Sequence, residues 1–409
     1  MLDRVNRLGL SLALAGCATL SHAAGFALIE QNASGLGNAY AGQAAAATDA
    51  STIFFNPAGM TYLPDRQVVV AGHLIRPEAK FSGTVTPDIG GGNGGDAGGF
   101  AFVPNAYFAY RLTPEVHFGV GLNAPFGLKT EYDAEWVGRY QAIKSEVKTI
   151  NVNPSVALRL SDTLSLGAGF NIQWIEAVLT NRQPLPPPLP SVVPLMTIKG
   201  DDFGWGYNLG ALWQATPATR IGLTYRSEVD YKLGGTSSTS DPSVAPLNGP
   251  VTAEVTMPDS ASLSLFHKLS SRWDLLADVT WTGWSDFDEL PIQGTVNRVT
   301  PQNWENILRY SLGATWHVSD KLSLRGGVAY DEAPVSDIDR TPRIPDGART
   351  WIAVGAQYRL SARSVLDFGY AHLFVNDPGL QNADDNGTTL NGEYSSRVDI
   401  LSAQVTLNF

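Results

Sequence analysis

Cysteine is all but absent. The 409 residues include one, Cys17, so no disulfide can form within the chain, and a cysteine-ligated metal site is not expected. Charge is scarce too. Asp, Glu, Lys and Arg make up 16% of the chain, against roughly 25% in an ordinary globular protein. What charge there is leans acidic: 28 basic and 39 acidic side chains give a formal net charge of −11. No basic block interrupts it, which argues against a nucleic-acid partner, because phosphate binding needs a basic face. Beyond the first 23 residues no apolar run reaches the 18 residues that a spanning helix needs. Catalytic signatures are also missing: there is no G-x-S-x-G and no H-E-x-x-H. An enzyme is therefore not the expected reading, and no cofactor or metal is expected.

The first 23 residues have the layout of a secretory signal peptide. Arg4 and Arg7 supply a positive start, residues 8–20 an apolar core, and Ser21-His22-Ala23 a small-x-small cleavage site. A second reading competes, because Leu14-Ala15-Gly16-Cys17 also fits a lipobox, in which Cys17 is cleaved and acylated. The mass of the mature N-terminus separates the two.

What the chain does have is glycine (41), aromatic side chains (10 Trp, 14 Tyr, 16 Phe) and a period of two. Phe203, Trp205, Tyr207, Leu209, Ala211 and Trp213 alternate with small or polar residues such as Gly204, Gly206, Asn208 and Gly210. This is strand periodicity. Fourteen such segments are predicted, near 66–82, 99–112, 115–124, 146–160, 163–178, 202–215, 218–231, 252–268, 272–283, 304–317, 321–331, 349–360, 363–374 and 395–409. The links between them alternate. Two-residue turns such as Thr113-Pro114 and Ser361-Ala362 take turns with loops of about twenty residues, such as 125–145. An even strand number with short turns at one end and long loops at the other is the layout of an outer-membrane barrel. Aromatics near strand ends (Tyr110, Trp205, Trp213, Trp273, Trp316 and Trp351) would form its interfacial girdles. The last strand ends on an aromatic, Phe409, which resembles the signature read by the outer-membrane barrel-assembly machinery, and it must close on the first. The fold class expected is therefore all-β, a 14-stranded antiparallel transmembrane β-barrel in the outer membrane of a Gram-negative cell, surrounded by outer-membrane lipid and lipopolysaccharide. A monomer is expected.

Residues 24–60 do not alternate. They are rich in Gly and Ala, but Phe26, Leu28, Ile29, Phe54 and Phe55 need burial, and Asn56 before Pro57 fits a helix cap followed by proline at the first helical position. A fourteen-stranded barrel is wider than its own side chains can fill. The segment is read as a small N-terminal hatch inside the barrel, giving three parts: 1–23 signal peptide, 24–60 hatch, 61–409 barrel.

Several stretches resemble the FadL/TodX family of outer-membrane transporters for long-chain fatty acids and aromatic hydrocarbons. In the hatch these are Ala24-Gly25-Phe26, Ser34-Gly35-Leu36-Gly37, Ala39-Tyr40 and Asn56-Pro57-Ala58. In the barrel they include Gly119-Val120-Gly121-Leu122, Ala124-Pro125-Phe126-Gly127-Leu128 and Trp136-Val137-Gly138-Arg139-Tyr140. Residues 276–281, 341–346 and 369–372 add to them. The resemblance spans the mature chain and is most specific at the hatch motif Gly35, Gly37, Asn56, Pro57 and Ala58. It implies ligand capture between outer loops, transfer to a pocket near the mature N-terminus, and sideways exit through a gap at a kinked third strand. Gly119 and Gly121 are candidates for that lateral gate, because glycine weakens a strand; small lumen-facing residues are the alternative.

The ligand-binding candidates are Phe26, Leu28, Ile29 and Phe126 for the apolar part, with Arg226, Arg309 and Arg325 for a carboxylate head. By alternation the three arginines face the lumen. Each could instead pair with lumen acids such as Glu228, Asp230 or Asp331. The partner expected is a long-chain fatty acid or another hydrophobic ligand. Two further readings stay open: an aromatic-hydrocarbon channel of the same family, and a barrel hydrolase that assembles a Ser–His pair across strands. The six histidines, His22, His73, His117, His267, His317 and His372, are scattered along the chain.

Overall fold

Period-two sequence can fold into a closed wall only if its first and last strands meet, and they do. A computed structural model describes residues 25–184, 193–385 and 387–409. The leader, with Cys17 and its two readings, and the proline run 186–188 lie outside the described residues. The wall has fourteen staves. The first six are β1 (Arg66–Thr86), β2 (Ala101–Arg111), β3 (Val116–Asn123, resuming at Gly127–Glu131), β4 (Lys144–Arg159), β5 (Leu164–Arg182) and β6 (Leu195–Thr216). Then come β7 (Thr219–Arg226 and Val229–Thr239), β8 (Gly249–Met257 and Ser260–Lys268), β9 (Trp273–Thr282) and β10 (Ile307–His317). The last four are β11 (Leu322–Asp331), β12 (Arg349–Arg359), β13 (Ser364–Val375) and β14 (Thr389–Asn408). Each is antiparallel to the next. β14 closes on β1 from Gln67↔Asn408 to Thr86↔Thr389, so the first and last strands leave no open edge to lipid.

The alternation sorts side chains as a membrane wall requires. In β6, Phe203, Trp205, Tyr207 and Leu209 are exposed on the outside, while Gly204, Gly206, Asn208 and Gly210 are buried inside. Trp273 and Trp316 are cross-strand partners on the outer surface, stacked 5.9 Å apart. Trp351, expected in a girdle, is not there. The register of β12 turns Arg349, Trp351 and Ala353 inward and gives the lipid side to Ile352 and Val354. Trp351 Nε1 instead donates to Asp331 Oδ2 at 2.7 Å, inside the barrel. The long loops hold more structure than alternation suggested. Gly127–Glu131 is strand within the expected loop 125–145, and Glu289–Gly294 pairs with Arg298–Pro301 as an outer hairpin.

Residues 25–63 lie inside the ring. They make three one-turn helices, α1 (Ala33–Leu36), α2 (Gln43–Ala46) and α3 (Thr52–Phe55), then a 3₁₀ turn, Pro57–Tyr62. Side chains cap α1 and the 3₁₀ turn, satisfying N–H groups that a helix start leaves without partners. Asn32 Oδ1 accepts from Gly35 N at 2.9 Å, and Asn56 Oδ1 accepts from Ala58 N at 3.1 Å, with Pro57 in the first turn. Asn56 Nδ2 also donates to Ala44 O at 2.7 Å and to Ala211 O of β6 at 3.0 Å, tying two turns of the segment to the wall. The small residues of the inner face now have a reason. A Cβ at Gly222 would run into Ala44 O, and one at Gly167 into Ala58 N, so the wall is shaved where the segment's backbone rests. At the short-turn end, Tyr62 lies between the guanidinium groups of Arg159 (5.5 Å) and Arg220 (4.8 Å).

Candidate functional site: a lumen cavity beside a break in the wall

One side of the barrel carries a row of polar residues at a single height. Thr224 is the register partner of Ser262, Ser262 of Thr280, Thr280 of Arg309, Arg309 of Asp331 and Asp331 of Arg349. The row crosses six strands, β7 to β12, and every member lines a cavity of about 790 Å³. The segment's first turn faces it. Phe26, Leu28 and Ile29 line the cavity from that side, with Phe54, Phe55 and Phe126. A polar belt thus confronts an apolar arm across a space within the roughly 300–1,000 Å³ typical of small-molecule sites. A smaller cavity of about 90 Å³ lies on the loop side and shares Phe26, Leu128, Val147 and Ile344 with the first.

The belt's charges are buried and unevenly satisfied. Arg309, 6% exposed, forms an ion pair with Asp331 (Nε to Oδ1, 2.7 Å) and donates from Nη2 to Ala39 O at 2.7 Å. Its Nη1 is buried with no hydrogen-bond partner. Arg349 Nη2 donates to Asp346 at 2.8 Å and to Gly25 O at 2.9 Å. Arg226 meets only neutral acceptors, Asn171 Oδ1 at 2.6 Å and Phe54 O at 2.9 Å, with its guanidinium 4.2 Å from the Phe54 ring. Glu30, in the arm, is 5% exposed and also lines the cavity. Burial pushes its carboxyl up to about 7.

Beside the cavity the wall is broken. β2 pairs with β1 up to Ala101↔Ile75, but its pairing with β3 stops at Ala106↔Leu122. After Asn123 the chain leaves the sheet for three residues and resumes at Gly127 against β4 alone. Pro125 has no N–H to give a ladder. The arm occupies the break. Leu28 N donates to Pro125 O at 2.8 Å, and Gly127 N to Phe26 O at 3.0 Å. Gln31 ties both edges. Its Nε2 donates to Ala124 O at 3.0 Å, its Oε1 accepts from Asn105 Nδ2 at 3.0 Å, and its carbonyl accepts from Tyr107 at 3.0 Å. The cavity lining includes Phe102, Leu122 and Ile150 at this break, all exposed on the lipid side.

Six of the seven residues singled out for ligand in the sequence, Phe26, Leu28, Ile29, Phe126, Arg226 and Arg309, line the cavity. Arg325 does not. It is buried against Asp367 at 2.5 Å, on the floor below α1. Gly119 and Gly121 are not at the break either. They sit in regular ladder opposite Ala109 and Tyr107, and the space over Gly119 is filled by Ile53 and Met60. Sequence reasoning missed Glu30, Gln31 and Arg349; it named Asp331 as a lumen acid open to an arginine, and Arg309 pairs with it. Alternation signals which way a residue faces but not which strands share its height. The aromatic box around Phe26 was missed too: Trp284, Phe287 and Trp304 have ring centroids 4.9–5.8 Å away.

Histidine and hydroxyl do meet. His73–Ser402, His267–Thr219 and His317–Ser323 bond at 2.6, 3.0 and 2.9 Å, and Asp274 lies 2.7 Å from the far side of His317. Yet all three are direct cross-strand register pairs, the usual unit of sheet stabilisation. No cluster of metal-ligand side chains occurs among the described residues.

Comparison with known proteins agrees with this geometry. Residues 14–409 match the family described as outer membrane protein transport protein (OMPP1/FadL/TodX). Outer membrane protein P1 of Haemophilus influenzae is 32% identical over 91% of this chain and 90% of its own. The long-chain fatty acid transport protein of Escherichia coli K12 is 28% identical over 89% and 91%. The crystal structure of a Pseudomonas aeruginosa FadL homologue superposes with a TM-score of 0.89 at 27% identity, covering 94% of this chain and all of the other.

Proposed function

Because the chain belongs to the FadL/TodX family of outer-membrane transport proteins and is a transporter of hydrophobic compounds, not an enzyme, we propose that its substrates are long-chain fatty acids. The observation that carries this is Arg309, a buried guanidinium on the lining of an apolar cavity whose Nη1 has no hydrogen-bond partner among the described residues. An unpaired buried donor is costly, and a ligand carboxylate would satisfy it. A toluene-sized hydrocarbon would leave it unpaired and most of the cavity unfilled. Burial of an acyl chain along Phe26, Leu28, Ile29 and Phe126 supplies the attraction, at about 25 cal/mol per Å² of apolar surface.

The path follows from the two cavities. Ligand taken up between the outer loops passes the smaller cavity, reaches the larger one with its head at the belt, and leaves sideways between β2 and β3. The arm, Gly25 to Gln31, is then the part of the hatch that has to move, because it fills the break. Candidate gate residues shift accordingly, from Gly119 and Gly121 to Ala124, Pro125 and Gln31. The aromatic box around Phe26 supports the second reading, an aromatic-hydrocarbon channel.

Calorimetry of the purified barrel with oleate and with toluene separates them. Oleate is expected to bind saturably. Arg309→Gln removes a charge-assisted bond of about 1.5–3 kcal/mol, a loss of roughly 10- to 150-fold in oleate affinity, with no change for toluene. Toluene binding without oleate binding would overturn the proposal.

A further inference from the structure

Glu30 is a carboxyl on the cavity lining with no ion-pair partner among the described residues. The groups that face it are Arg309 from β10, Asp331 from β11, Arg349 from β12, and Tyr40 from its own segment. Asp346, on the loop before β12, closes the set through its bond to Arg349. The two arginines are matched by the two aspartates, as ion pairs of 2.7 and 2.8 Å. The carboxyl of Glu30 takes a hydrogen bond from its own backbone N–H, has no other among the described residues, and lies on the cavity surface. A second anion brought to the same belt would stand beside it in a water-poor space. Two carboxylates sharing such a site cannot both stay ionised.

We propose that the cavity is a proton-linked anion site, in which an amphiphile's head group binds at the Arg309 belt and Glu30 takes up a proton from bulk water in the same step. The inference rests on the fatty-acid reading above and gives it a mechanism. The incoming carboxylate takes the donors on Arg309, and the protonated Glu30 turns from a repelling anion into a hydrogen-bond donor toward it. Neutral hydrocarbons bind without proton uptake. The site therefore distinguishes an acid from a hydrocarbon by charge, although both use the same apolar wall. Glu30 is a positioning and selectivity residue here: it precedes Gln31, which holds the arm in the wall break, so its charge state and the seat of the arm are joined through one peptide bond.

The test is isothermal titration of the whole mature barrel in an uncharged detergent. The probes are oleate and tetradecane sulfonate, the latter chosen because its head cannot take a proton in this range. Titration at pH 8 in two buffers of different ionisation enthalpy gives the protons exchanged per ligand. The wild type is expected to take up about one proton per sulfonate at pH 8, with affinity falling close to tenfold per pH unit above 7. Glu30→Gln is expected to bind the sulfonate with no proton uptake and no pH dependence over the same range. Glu30→Asp, which keeps the acid, should restore the uptake. Sulfonate binding without proton uptake in the wild type, or with equal uptake in Glu30→Gln, overturns this inference and leaves the fatty-acid reading intact. Absence of binding by both amphiphiles overturns both.

Discussion

Gln31 is the residue through which the arm holds the wall break shut, and its removal should loosen the arm by a calculable amount. Gln31→Leu keeps a branched side chain, one atom shorter, but deletes both of its polar ends. Ala124 O and Asn105 Nδ2 then lose the partners they have at 3.0 Å. Asn105 is buried, and the bond to it was its only side-chain donor contact among the described residues. Leaving a buried donor or acceptor unmade costs about 1–3 kcal/mol, so the docked arm loses roughly 2–6 kcal/mol relative to the released one. At 1.4 kcal/mol per decade, even the lower end is about a 30-fold rise in the released population. The amides of Leu28 and Gly127 report it, because each donates across the arm–wall seam to Pro125 O and Phe26 O. Hydrogen exchange of peptides covering 25–32 and 124–130, read by mass spectrometry on the folded barrel, should speed up by at least that factor. The amides paired between β1 and β14 should not change and serve as the control for folding. Unchanged protection at Leu28 and Gly127 would refute the assignment of Gln31 as the tie.

Phe26→Ala empties the aromatic box formed by Trp284, Phe287 and Trp304; a buried Phe→Ala change costs about 3–5 kcal/mol, and the same exchange assay should show arm release of the same order as for Gln31→Leu. Gly167→Val places a side chain where the backbone of Pro57 and Ala58 lies, so the segment cannot seat; the barrel should still assemble but conduct ions in planar bilayers, and a silent channel would refute this seat. The docked arm should also weaken with rising pH. Glu30 titrates near 4.5 when free and at about 7 when buried, so the docked form holds the proton more tightly. Docking is then strongest below about 4.5, weakens as pH rises, and levels off once pH has passed 7. The difference in arm protection between wild type and Glu30→Gln, measured across pH 4–8 so that intrinsic exchange rates cancel, should follow that curve.

The wall was legible in the sequence because its physics is local. Period two, two-residue turns such as Thr113-Pro114 and an aromatic last residue are each visible within a dozen positions, and together they gave the strand number and the closure. Trp351 shows where local reading fails. Trp316 and Trp273, at the other end of the wall, do face outward, and a tryptophan near a strand end looks the same in sequence whichever side it takes. What turned it inward was its partner, since Asp331 on the next strand needs a donor and Ile352 suits the outside better. The site failed for the same reason on a larger scale. Arg309 and Arg325 have equal claims by alternation, both on strands and both pointing inward. They differ only in height: Arg309 shares a register row with Thr280, Asp331 and Arg349, at the level of the cavity. Arg325 lies six residue pairs further along the same ladder, beneath α1, where Asp367 already neutralises it. Register is set by how all fourteen strands stagger together, and no window of sequence contains it. The break in the wall was the intermediate case. Its region was predicted from glycines, but the residue that makes it is Pro125, whose missing N–H was readable from the start. Glycine permits a bend without requiring one, whereas proline in mid-strand removes a ladder bond outright. Proline alone does not mark the opening, because Pro77 and Pro154 sit within paired strands; what sets Pro125 apart is that the chain leaves the sheet there and the arm takes its carbonyl through Leu28 N.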